Sequence, residues 1–450
     1  MTLDTDIARF AGAPDASSRE LVESCLNRAS DPNGTGAVTF IRRFDEQARA
    51  LAASSDRMRR GGAPLLPLSG VPVSVKDLFD IAGSVTTAGS FVLRDAPPAS
   101  QDAPAVARLR AAGAIIVGAT NMTEFAFGST GINAKYGTPP NPYDRASARI
   151  PGGSSSGAAI SVCDDFAVAA VGSDTACSVR APAAYCGIVG FKPTASRIPL
   201  AGAIPLAGSL DSIGPLAASV ANCAVMDAVL AADDPAPPTA FPLAGLRLAI
   251  PSTVVLDELE ADVAAGFERT VGLLAKNGAV IGEIALPELA EILERGLAQR
   301  FTLCEGYAWH RELLETKRDL YDPAIAGRLL EGAGISAAEY IDALTARKRL
   351  IATSRRITGA YDAVIMPTLA ITARRIADVQ ADRAYAGETA RLSIRNANIA
   401  NVLDRCALTI PCHEPGKAPV GFTLMGETLS DRKILAIGLS VEAVVKGAFR

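Results

Sequence analysis

The chain has 450 residues, 49% hydrophobic and 20% charged, with 44 Lys and Arg against 48 Asp and Glu for a formal charge of −4. That balance excludes the basic excess of a nucleic-acid binder. Only His310 and His413 are histidine, which excludes a zinc site built on several imidazoles and leaves imidazole acid–base chemistry two candidates.

The opening MTLDTDIARFAGAPD carries acids and no apolar run, so no secretory signal is read there. Residues from about 18 to 60 are read as helical. Ser17 or Ser18 can cap the first helix, and apolar residues recur at helical spacing through LVESCLNRA and again through AVTFIRRFDEQARALAA. PLSGVPVSVKDLFDI then holds a strand-like run at 71–75 that ends at Lys76 and Asp77. APAVARLRAAGAIIVGATN predicts a helix, a stop at Gly113 and a strand over 114–118.

Residues 121–194 are crowded with Gly, Ser and Pro, and the run 166–171 inside them reads as a buried strand. Further on, LRLAIPS predicts a strand, VAAGFERTVGLLAKNG a helix and VIGEIAL another strand. Residues 287–360 are strongly helical, and YDAVIMPT, CALTIPC and PVGFTLMG close the chain as short strands. Helices alternating with apolar strands indicate an α/β core with helices on both faces.

Eight cysteines are scattered with no C-x-x-C pair, as expected of reduced thiols serving as small core hydrophobes. The most apolar stretch, 157–171, is interrupted by Asp164 and Asp165 and is too short to span a bilayer. The expectation is a cytoplasmic protein with no membrane or nucleic-acid partner.

Two serine-rich segments stand out: PGGSSSGAA (151–159) and GSDTACSVRAPAAYCGIVGFKPT (172–194). A Gly-Ser loop before a helix can hold phosphate, but GGSSSG lacks the Gly-Lys-Ser/Thr of a P-loop and is not G-x-G-x-x-G. Residues 153–157 also fit G-x-S-x-G, which would make Ser155 a nucleophile served by a late histidine such as His413. Nothing after Gly157 adds to that reading.

Four segments in order fit a third reading: SVKDL around Lys76, ATNMTEFAFGSTGINAKYGTPPNP (119–142), PGGSSSG and GSDTACSVRAPAAYCGIVGFKPT. Together they resemble the amidase signature family of serine amidohydrolases. The resemblance is strong over about residues 20–225 and continues more weakly to PCHEPGKAPVGFTLMGETLSDRKILAIG near the end. It implies one large α/β/α domain over 1–450 with a central mixed, twisted sheet. Within it, 1–60 would be N-terminal helices, 61–225 the catalytic motifs, and 226–450 a variable helical region with closing strands.

The resemblance also implies hydrolysis of a small-molecule carboxamide by a Ser–cis-Ser–Lys triad with no metal and no cofactor. The nucleophile falls on Ser178 and the bridging serine on Ser154, 178 − 154 = 24 residues earlier. The base falls on Lys76, leaving Ser155 as a neighbouring hydrogen-bonding residue. Serine needs an adjacent base, and a lysine serves only when neutral, a state that burial without a carboxylate partner produces. Backbone N–H groups of Thr175, Ala176 and Cys177 would form the oxyanion hole. Many members have Gly-Gly where this chain has Ala176-Cys177, and GGSSGGSA where it has GGSSSGAA. Because neither Ala nor Cys takes positive φ cheaply, the turn must use ordinary dihedrals or carry strain.

Asp174 and Arg180 are expected to hold the nucleophile loop. Phe127, Gly128, Ser129 and Thr130, with Phe125 and Gly131 beside them, are expected to line the acyl pocket. Tyr307, Trp309 and His310 lie on the helical stretch where members vary. Alternatives within the family are a biuret- or allophanate-type hydrolase and the glutaminase-type component of an amidotransferase with partner subunits. A homodimer is common in proteins of this type. The alternative of another class is a catalytically silent scaffold protein, against which Lys76, Ser154 and Ser178 all stand.

Overall fold

The computed structural model describes residues 5–449. Among them the strands are β1 (Phe40–Arg43), β2 (Pro72–Lys76), β3 (Ile115–Thr120), β4 (Ala169–Asp174), β5 (Val189–Lys192) and β6 (Ser212–Ala217). They continue with β7 (Arg247–Pro251), β8 (Val280–Ile284), β9 (Ala363–Pro367), β10 (Ala407–Pro411) and β11 (Gly421–Met425). All eleven join one sheet in the order β1-β3-β2-β4-β6-β5-β10-β11-β9-β7-β8. The sheet is mixed: β2 runs parallel to both β3 and β4, whereas β4 pairs antiparallel with β6. The expected α/β architecture with a mixed central sheet is what the chain adopts.

The centre of the sheet is buried along its length. Every residue of β2, β3, β4 and β6 is buried, the pattern of strands covered on both faces. The helix Pro104–Ala111 starts with proline at its first turn and ends before Gly113, whose φ is +91°. The helix Ser18–Ala29 is capped by Ser17, which accepts from the Glu20 N–H at 3.2 Å.

The structure departs from the expected helix through AVTFIRRFDEQARALAA. Residues 40–43 leave helical geometry to form β1, paired antiparallel with β3 from Phe40↔Thr120 to Arg43↔Gly118. The helix Asp45–Arg60 begins only afterwards, with Asp45 and Glu46 in its first turn. Phe40 is held in the strand by its place against Phe166, their ring centroids 6.0 Å apart. Tertiary pairing overrides the helical periodicity here. The buried strand expected over 166–171 lies three residues later, at Ala169–Asp174, and the one expected over 114–118 runs to Thr120.

Because β2 and β4 are parallel neighbours, Val75 sits beside Val171 and both strands deliver their C-terminal residues to one edge. Crevices at the carboxyl ends of parallel strands are where α/β sheets present functional groups. Lys76 ends β2, and Ser173 and Asp174 end β4.

Candidate active site

Lys76 is fully buried, with 0% of its surface exposed. Its Nζ donates to Ser154 Oγ at 2.7 Å and to Ser173 Oγ at 2.8 Å, and no carboxylate among the described residues bonds to it. Burial disfavours the ammonium and pushes its pKa down to about 7, against the weaker pull of Asp211 and Asp174. A lysine in this state exchanges its proton near neutrality.

Ser154 follows a cis peptide bond, Gly153–Ser154, the position at which the family resemblance places one. Three bonds fix the turn. The Gly153 N–H donates to the Ser129 carbonyl at 2.7 Å, that of Gly152 to Thr130 at 3.2 Å, and that of Thr123 to the Ser154 carbonyl at 3.1 Å. Gly152 has φ +79°, and a Cβ there would stand 2.8 Å from the Pro182 Cα, so this approach requires glycine. Ser178 comes to the same turn: its carbonyl accepts the Ser155 N–H at 3.2 Å. At 5% exposure Ser178 opens further than Lys76 and Ser154, both at 0%.

The N–H groups of Val179 and Arg180 are taken by the Asp174 carboxylate at 3.0 and 3.3 Å. Those of Thr175, Ala176 and Cys177 donate to no acceptor among the described residues. They therefore remain available as donors beside Ser178. Neither Ala176 nor Cys177 has positive φ, so the turn runs on ordinary dihedrals. The Cys177 thiol points back to the Gly153 carbonyl at 3.7 Å, closing the two loops together. Burial raises its pKa, so it is a thiol and not a thiolate.

Asp174 and Arg180 form a buried, two-pronged ion pair, Nη2–Oδ1 2.9 Å and Nε–Oδ2 3.0 Å. Arg180 spends its remaining donors on the Ala397 carbonyl at 2.6 Å and Asn401 Oδ1 at 2.7 Å. With each of its three nitrogens engaged, it ties the loop to Ala397 and Asn401.

Phe127 and Ser129 are both buried, and Ser129 Oγ has no hydrogen-bond partner among the described residues. Trp309 is 37% exposed and leans on Phe125 and His310. His310 bonds to the Tyr321 hydroxyl at 2.8 Å, and burial pushes its pKa down to about 4. His413 lies against Gly187. Ser155 Oγ donates to the Ser173 carbonyl at 3.3 Å and meets neither histidine, so the G-x-S-x-G arrangement is not assembled.

Sequence reasoning missed three polar residues of the site. Ser173 is the second acceptor of Lys76. Asp211 accepts the Thr175 hydroxyl together with the N–H groups of Leu206 and Ala207, at 3.0 and 3.2 Å. Asn401 donates to Asp174 Oδ1 at 3.0 Å. The available signal was Ser173-Asp174, two polar residues closing an otherwise apolar buried strand. Asp211 and Asn401 arrive from remote segments and left none.

Comparison with known proteins settles the family, because the model for amidases matches residues 20–435. The chain belongs to the amidase family. It is a hydrolase that acts on amide C–N bonds. It is 36% identical to the 2-amino-5-chloromuconic acid deaminase of Comamonas testosteroni, over 89% of this chain and 87% of that one. It is 32% identical to a component of the glutamyl-tRNA(Gln) amidotransferase of Chloroflexus aggregans, over 94% and 92% of the two chains. A crystal structure of an amidase superposes with a TM-score of 0.87 at 30% identity, covering 97% of this chain and 98% of that one. Among the described residues no helix is long and apolar enough to cross a membrane.

Proposed function

We propose that this amidase cleaves a small-molecule carboxamide through an acyl-enzyme carried on Ser178. The observation that supports it is the buried Lys76 Nζ at 2.7 Å from Ser154 Oγ, with its pKa lowered to about 7. Ser178 Oγ attacks the amide carbonyl while its proton passes to Ser154, whose own hydroxyl proton passes to Lys76. The N–H groups of Thr175, Ala176 and Cys177 receive the oxyanion, each such donor contributing roughly 3–4 kcal/mol to the transition state. Collapse breaks the C–N bond, and the Lys76 ammonium returns its proton through Ser154 to the departing ammonia or amine. Water, deprotonated along the same relay, then attacks the ester and releases the carboxylic acid, restoring Ser178.

A relative acting on an acid makes amides that also carry a carboxylate the first substrates to test. The second reading, release of ammonia from glutamine for a partner complex, has its support in the likeness to the amidotransferase component.

Ser178→Ala should abolish ammonia release from an amide panel while the circular dichroism spectrum is unchanged. Mass spectrometry of the quenched wild-type reaction should find an acyl group on the peptide that contains Ser178. Full turnover by the Ala variant would refute the assignment.

A further inference from the structure

Burial lowers the pKa of four arginines, Arg328, Arg347, Arg395 and Arg405. Three of them have partners. Arg347 donates to the carbonyls of Val402 and Ser209, each at 2.9 Å. Arg395 donates to Asn396 Oδ1 at 3.0 Å, and Arg405 pairs with Glu427 at 2.8 Å. Arg328, half-buried in the helix Pro323–Glu331, has neither hydrogen bond nor ion pair among the described residues. Its guanidinium carbon lies 4.8 Å from the centre of the Phe127 ring. Among the described residues the acid that acts on it is Glu331, an exposed residue of the same helix.

That ring connects Arg328 to the reaction site. Phe127 is 4% exposed and stands two residues before Ser129, whose carbonyl holds the turn that carries Ser154. Its edge comes within 3.6 Å of where a Gly306 Cβ would stand, and the Leu206 carbonyl lies equally close to that point. Leu206 in turn is tied through Asp211 to Thr175 of the oxyanion turn. Arg328 therefore lies against the loop of Phe127 and Ser129, which packs with the loops that carry the proposed reacting groups.

An unpaired cation in a half-desolvated place is costly unless an anion completes it. The flat fork of a guanidinium matches a carboxylate bidentately, and an aromatic face beneath it holds the fork in plane. We propose that Arg328 binds a carboxylate at the far end of the substrate, so that the amide hydrolysed is the monoamide of a dicarboxylic acid. The inference rests on the amide-hydrolase reading above and names its substrate class. Glu331, the acid that acts on the fork, is exposed and offers no enclosed partner to an α-ammonium beside the carboxylate, which disfavours glutamine.

The test measures ammonia release from malonamate, succinamate, glutaramate and adipamate, with butyramide and glutamine as controls. The wild-type protein should prefer one of the four monoamides over butyramide by at least about tenfold in kcat/KM, the order of one charge-assisted contact. Arg328→Ala should lower kcat/KM for that monoamide by about ten- to a hundredfold, mainly through KM. It should leave butyramide within about twofold, and Arg328→Lys should restore part of the loss. Equal losses on monoamide and butyramide, or a wild-type enzyme indifferent to the carboxylate, would overturn the proposal.

Calorimetric titration of the same monoamides into Ser178→Ala protein gives an answer that does not depend on turnover. Saturable binding that disappears in the Ser178→Ala, Arg328→Ala double variant supports the proposal, and its absence in the single variant counts against it. Normal turnover by Ser178→Ala would instead sink the nucleophile assignment while leaving an Arg328-dependent preference standing.

Discussion

The state of Lys76 makes the sharpest demand on experiment. Burial takes its pKa from 10.5 to about 7. If its neutral form is the base, about nine-tenths of the enzyme is competent at pH 8 and about one-tenth at pH 6. kcat/KM should fall about tenfold between those values and about tenfold again for the next unit, along a one-proton limb centred near 7. Neither histidine supplies such a limb, since burial holds His310 at about 4 and lowers His413 as well. Asp211, raised to about 6 by its own burial, would place a limb one unit lower.

The same depression has a consequence for stability. Between about pH 7 and 10.5 the unfolded lysine binds a proton that the folded one does not. Stability therefore rises with pH across that window, and the penalty is complete below about 7. At 1.36 kcal/mol per pH unit, the drop from 10.5 to about 7 is worth on the order of 5 kcal/mol. Lys76→Met removes that penalty and strands the hydroxyls of Ser154 and Ser173 at about 1 kcal/mol each. The variant should be inactive, yet more stable than wild type at pH 6 by about 3 kcal/mol, and less stable by about 1 kcal/mol near pH 10. Urea denaturation at the two pH values reads the change of sign. A flat rate profile from pH 5.5 to 9, or a Met variant equally destabilised at both pH values, would refute the reasoning.

Three further outcomes are expected. Ser173→Ala removes one of the two acceptors of the ammonium, so the acid limb should move below 7; a limb displaced upward would contradict the bond from Nζ. Arg180→Ala leaves Asp174 charged and buried without its partner and should cost about 3–5 kcal/mol in urea denaturation; a loss under about 1 kcal/mol would show that the pair is not what holds the loop. Replacing His310 and His413 together by Ala should keep kcat/KM within about threefold, whereas a thousandfold fall, about 4 kcal/mol of barrier, would restore an imidazole mechanism.

What the sequence disclosed and what it hid divide along a physical line. Local rules located the helix before Gly113 and its stop there, and they placed β2 up to Lys76. The serine loops stood out because glycine density marks backbone that must approach closely, as Gly152 does at Pro182. β1 was lost because FIRR extends only when β3 offers it an edge. β5 and β6 were lost among glycines and prolines, whose strand character comes from pairing with β10 and β4. The contact between Phe127 and Arg328 joins residues 328 − 127 = 201 apart. No window of sequence holds both.

The charges around the lysine explain why it can stay neutral in a chain that places two carboxylates near it. Asp174 is fully committed, to Arg180 on two prongs and to the N–H groups of Val179 and Arg180, and its pKa is lowered accordingly. Its negative charge is therefore matched within its own loop and attracts Lys76 only weakly. Asp211 is turned toward Thr175, Leu206 and Ala207, and desolvation weakens its ionised form near neutral pH. Burial consequently remains the largest influence on Lys76, and the two acids act below it. The ion pair that fixes the loop carrying Ser178 thus also withholds a counter-ion from Lys76, the base of the proposed mechanism. With only two histidines in 450 residues, a protected lysine of this kind is the group through which the proposed mechanism exchanges a proton near pH 7.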